Sequence, residues 1–126
     1  WLIAYESGKR AGVTKIGVTG ELVRSFGRHG RASIRCSRPQ GHHVVDAMTI
    51  ENHDGKLARI AMATSCRREG QLRRLASVWR SGGDSVPGLR PDATGRLPYS
   101  QATEDLTFNT SGKLFALTGG HLYRMS

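Results

Sequence analysis

Glycine is spaced so regularly along this chain that it sets the maximum length of any regular element. Sixteen glycines in 126 residues fall between short runs of alternating apolar and polar residues instead of clustering. In a helix interior each would cost about 1 kcal/mol relative to alanine, whereas in a turn glycine supplies positive φ at no steric cost. The runs 2–5, 13–18, 22–26, 43–47, 48–50 and 57–62 read as strands, as do 106–108, 114–117 and 121–125. Period-two runs bounded by Gly, Asn, Asp and Ser are the signature of strands joined by hairpins. No segment carries a helical stripe over three turns. The nearest is 70–80, where Leu72, Leu75, Val78 and Trp79 are spaced so that a helix is allowed. The chain therefore reads as all-β.

The turns repeat. Gly20-Glu21-Leu22-Val23-Arg24-Ser25-Phe26 matches Gly70-Gln71-Leu72-Arg73-Arg74-Leu75, and Glu6-Ser7-Gly8-Lys9 matches His53-Asp54-Gly55-Lys56. A third copy of the second pattern is Thr110-Ser111-Gly112-Lys113, leading into Leu114-Phe115-Ala116-Leu117. The first two offsets are about 50 residues, the length of a four-stranded sheet with its turns, and radially repeated sheets of that length are β-propeller blades.

The residues that carry a family resemblance are Leu22-Val23-Arg24-Ser25-Phe26-Gly27-Arg28-His29-Gly30, then Arg38-Pro39-Gln40-Gly41, then Val44-Val45-Asp46-Ala47. This series resembles the NHL repeat of six-bladed-type β-propellers. The resemblance implies a partial blade over 1–30, a full blade over 31–77, a Gly/Pro-rich connecting loop over 78–103 and a partial blade over 104–126. That is about two and a half β-propeller-like four-stranded blades: a fragment, or an array completed by further blades from the same or another chain. Residues 104–117, opening on Glu104-Asp105, are similar to the blades of lactonase-like and strictosidine-synthase-like propellers, which implies a lactonase- or lyase-like enzyme as an alternative. A different resemblance, to GIY-YIG nucleases, rests on Ile3-Ala4-Tyr5, Lys15-Ile16-Gly17, Leu22, Arg24, Arg28 and His29. It implies a metal-dependent nuclease with Arg24 beside the scissile phosphate and Glu51 as metal ligand. The two readings part over 21–35, which is a strand plus loop in the propeller and a helix in the nuclease.

Charge narrows the partner. Nineteen Lys and Arg against ten Asp and Glu give a net charge of +9, and fifteen of the nineteen are Arg. Such a balance favours acidic partners, and the planar guanidinium matches phosphate better than an ammonium does. The arginines gather in two places: Arg24, Arg28, Arg31, Arg35 and Arg38, and one repeat later Arg67, Arg68, Arg73 and Arg74. Radial stacking of the blades would bring both groups to one face. The resemblance implies a binding platform on such a face, with RNA or an acidic protein surface as partner. His29, Trp79 and Tyr99 are the candidates for stacking on bases.

Catalytic patterns are missing from the sequence. It has no phosphate-binding loop, no dinucleotide fingerprint and no assignable Ser-His-Asp set, so the platform is expected to be non-enzymatic. His42, His43, Asp46, Glu51, His53 and Asp54 form the densest ligand-like stretch, but strand alternation sends His43 and Asp46 to opposite faces. No metal or other cofactor is expected. No apolar run approaches the roughly 20 residues of a membrane-spanning helix, so no membrane role is expected. Residues 1–5 are too short for a signal-peptide apolar region. Cys36 and Cys66 belong to no CxxC pair and are read as two free thiols.

Overall fold

The computed structural model describes residues 1–8, 10–35, 43–68, 71–86 and 102–125. Among them no helix forms. Nine strands make three antiparallel meanders in chain order. The first sheet is β1 (Leu2–Ser7), β2 (Arg10–Lys15) and β3 (Arg31–Arg35). The middle sheet is β4 (Val44–His53), β5 (Lys56–Arg68) and β6 (Gln71–Arg80). The last is β7 (Asp105–Phe108), β8 (Leu114–Thr118) and β9 (His121–Met125). Among the described residues each sheet has three strands, one fewer than the four expected per blade.

The three sheets are layered in sequence order. Ile60, Ala61, Met62 and Ala63 on β5 are all at most 1% exposed, so the middle sheet is buried on both faces. Alternation sorts these four residues. Ile60 and Met62 join Val13, Phe26 and Ala32 of the first sheet, together with Trp79. Ala61 and Ala63 join Leu106, Leu114, Ala116 and Met125 of the last sheet, together with Val78. Contacts between sheets run mainly through their first strands, β1 against β4 and β4 against β7, with further contacts from β2 to β4 and from β5 to β7.

One polar clasp ties the middle sheet to the last. Glu51 and Arg59 are cross-strand partners, and both Glu51 oxygens accept from the guanidinium, at 2.7 and 2.8 Å. Arg59 also donates to the Gly112 carbonyl in the β7–β8 turn and lies 4.8 Å over the Phe108 ring. A second network sits at a bulge in β4, where Asp46 has no partner in the ladder. Asp46 accepts from the Ser65 hydroxyl, and Arg74 donates to the same hydroxyl while lying 3.9 Å from the Asp46 carboxylate.

Several sequence expectations are corrected. Residues 22–26 are not a strand. Leu22 makes a single bridge to Ile16, and the Phe26 N–H donates to the Val23 carbonyl at 3.1 Å, closing a turn. Val23 and Phe26 both face the core, a spacing of three that an alternating strand cannot provide. The third strand of the first sheet is β3 (Arg31–Arg35). Residues 70–80 do not use the helical option: β6 pairs with β5 from Gln71 to Arg80. There the neighbours Val78 and Trp79 serve opposite faces. Residues 78–80 complete this strand, and 87–101 of the expected connecting loop lie outside the described residues.

The reading of two free thiols is also corrected: Cys66, 3% exposed near the end of β5, is disulfide-bonded. The chain's other cysteine, Cys36, lies outside the described residues. Sequence spacing says nothing about whether two Cβ atoms approach to the roughly 3.5–4.5 Å that a bridge needs. Cys66 is expected to resist iodoacetamide in denaturant and to be fully alkylated after dithiothreitol, as read by peptide mass. Labelling of Cys66 without reductant would contradict the bridge.

Candidate functional site

The outer face of the first sheet is built from the residues that its core does not use. Leu2, Ala4, Val13, Ala32 and Ile34 point inward, so alternation sends Tyr5, Ser7, Arg10, Arg31, Ser33 and Arg35 outward. Register brings them together: Tyr5 pairs with Gly12 and Gly12 with Ser33, while Arg10 lies between Ser7 and Arg35. The turn region after β2 rises beside this face and adds Leu22, Arg24, Arg28 and His29. The open cavity between them measures about 580 Å³.

Its electrostatics are one-sided. Arg10, Arg24, Arg28 and Arg31 all line it, and among the described residues no carboxylate does. Arg31 lies over the Tyr5 ring at 5.6 Å, and Arg10 donates to the Ser33 hydroxyl at 3.2 Å. None of the four guanidinia forms an ion pair with a described residue. Four like charges around one cavity repel one another unless an anion lies between them.

A second cavity, of about 370 Å³, lies beside the first and shares Arg10, Arg28, Arg31 and Ser33 with it. Its other walls come from Gly27 and from the end of the middle sheet, at Trp79 and residues 83–85. The two loops that form it are locked together. The Gly27 N–H donates to the Gly82 carbonyl at 2.7 Å, and Arg28 and Arg31 exchange backbone hydrogen bonds. Gly27 and Gly83 have φ of 56° and 89°, and a Cβ on Gly83 would sit 2.4 Å from the Gly27 nitrogen. Only glycine permits that approach.

Of the first arginine group the structure thus gathers Arg24, Arg28 and Arg31, with Arg35 one step along the same face and exposed. Arg38 lies outside the described residues. The second group is not gathered at this site. Arg67 is exposed on β5, and Arg68 ends that strand. Arg73 is half-buried opposite Cys66, and Arg74 is held in the Asp46–Ser65 network. His29 lines the first cavity, whereas Trp79 is a core residue at 2% exposure and Tyr99 lies outside the described residues. Sequence reasoning missed Arg10, Ser33 and the placement of Tyr5. The register of the β1–β2 hairpin, turning at Gly8, would have put Arg10 on the Tyr5 face.

The ligand-like stretch has other employment. His43 is fully buried with Nε2 at 2.8 Å from the Thr64 hydroxyl, and Glu51 belongs to Arg59. Among the described residues no three His, Cys, Asp or Glu side chains converge as a metal site. Comparisons with family models, curated proteins and solved structures found no significant match.

Proposed function

We propose that this chain is a non-enzymatic binding platform of blade-like repeats whose ligand is an unpaired stretch of RNA held on the outer face of the first sheet. The observation that carries the reading is the set of four arginines around one cavity with no carboxylate partner among the described residues. Guanidinium pairs with phosphate bidentately, and flat side chains such as Tyr5 and His29 offer surfaces to unstacked bases. The second cavity extends the same basic lining, as a linear polyanion needs. What supports the blade reading is the series of three meanders, each packed on the next mainly through its first strand. The nuclease alternative needs a helix over 21–35 and a free Glu51; residues 31–35 are a strand, and Glu51 is clamped by Arg59.

The test is fluorescence anisotropy with a labelled single-stranded RNA 12-mer. Affinity is expected to fall steeply between 50 and 200 mM salt, and Arg28→Ala/Arg31→Ala to reduce the logarithmic salt slope by about 1.4, at roughly 0.7 per phosphate contact. An affinity unchanged by salt would overturn the proposal. Polyglutamate binding as tightly as RNA would move the partner to an acidic protein surface.

A further inference from the structure

Among the described residues, Asp84 is the one carboxylate in the basic groove, lining the second cavity beside Arg10, Arg28 and Arg31. Although three guanidinia line the same cavity, Asp84 forms no ion pair with any described residue. Its position is fixed by backbone: the Arg80 N–H donates to the Asp84 carbonyl and the Gly83 N–H to the Arg80 carbonyl, at 2.8 and 2.9 Å. Ser85 then bridges to Trp79. Asp84 is thus an exposed residue on a tight turn, lining a cavity whose other charged residues are positive.

Toward a polyanion such a group is a liability, because it repels phosphate and lowers the local positive potential. It becomes an asset only where the ligand presents N–H donors. We infer that Asp84 reads an unpaired guanine, an inference that rests on the RNA reading of the groove. An ionised carboxylate is acceptor-only, with two oxygens side by side. Among the four RNA bases, guanine alone offers two adjacent donors, N1–H and the 2-amino group, on its Watson–Crick edge. Adenine and cytosine set a ring-nitrogen acceptor next to their amino group, and uracil flanks its single N–H with two carbonyls. Unpaired bases expose this edge, and charge-assisted pairs are the strong ones. The second cavity, about 370 Å³, is open to solvent, so an unpaired base can reach it from the surface. A base entering it leaves its flanking phosphates on the Arg28 and Arg31 wall shared with the first cavity.

The experiment uses the whole chain and four uridine 8-mers, carrying at the centre guanosine, inosine, adenosine or cytidine, titrated by anisotropy at one salt concentration. The guanosine oligomer is expected to bind about ten-fold more tightly than the adenosine and cytidine ones, with inosine losing most of that gain for want of the 2-amino group. Asp84→Asn is expected to abolish the preference and leave the salt slope unchanged. Equal affinities for all four in the unmodified protein would overturn the inference. So would an Asp84→Asn protein that binds all four more tightly by the same factor, since the carboxylate would then only repel phosphate. In both of those results RNA still binds, and the platform reading stands. Failure of every oligomer to bind would overturn both.

Discussion

Arg59→Ala is expected to lower the free energy of unfolding by about 3 kcal/mol at neutral pH. Removing one partner of a buried pair costs about 3–5 kcal/mol, because the other charge stays buried and unpaired. The lower end applies here, since the Arg59 side chain is 30% exposed while that of Glu51 is 6% exposed. The same substitution strips the Gly112 carbonyl of its donor and the Phe108 ring of its cation, so the loss falls on the junction between the middle and last sheets. Urea unfolding measures it. A loss below about 1 kcal/mol would place the clasp among surface pairs of little worth.

The clasp also fixes a pH dependence. Hydrogen bonds from Arg59 hold the Glu51 carboxyl below its ordinary value of 4.5, outweighing burial, which pushes the other way. A carboxylate depressed in the folded state contributes stability that is complete above its unfolded pKa and is lost as pH falls through the folded one. The stability gap between the unmodified protein and Glu51→Gln is therefore expected to be full at pH 7, to begin closing near pH 4.5, and to vanish in stronger acid. A gap that persists unchanged into strong acid would show that the Glu51 charge is not its source.

Ile60→Ala is expected to cost about 3 kcal/mol and Ala63→Leu about 2 kcal/mol, for opposite reasons. Ile60 is fully buried between the first and middle sheets, and truncating such a residue adds a cavity to the lost transfer free energy, about 2–5 kcal/mol together. Ala63 is 1% exposed against the last sheet, where added methylenes force neighbours off their rotamers at about 1–3 kcal/mol. Chemical denaturation of both variants tests the layering. An Ala63→Leu protein as stable as the parent would mean that the alanine face of β5 is not in close contact with the last sheet.

Much of the strand content was legible because local chemistry alone dictates it. Gly8, Asp54-Gly55 and Gly119-Gly120 turn the β1–β2, β4–β5 and β8–β9 hairpins, and each has positive φ in the structure. Alternation named the strands on either side of them. The segment 22–26 failed because its apolar residues answer to the core and not to a ladder. Phe26 is 2% exposed beneath a loop held by the Gly27–Gly83 contact, an approach of two glycines more than 50 residues apart that no local pattern encodes. The arginines failed in a similar way. Their clustering in sequence was plain, but whether a guanidinium meets a cavity or an Asp is decided across strands, as Arg31 and Arg74 illustrate.

By itself, then, the sequence determined an all-β chain with tight glycine turns and a strong excess of arginine, because backbone sterics and net charge are properties of residues and their near neighbours. Only the tertiary structure decided that the middle sheet is buried on both faces and that Cys66 is bridged. It alone also decided that Arg10, Arg24, Arg28 and Arg31 share one unpaired site while Arg74 is spent internally. Those outcomes depend on register and on which sheet faces which, and both are set by pairings between residues far apart in the chain.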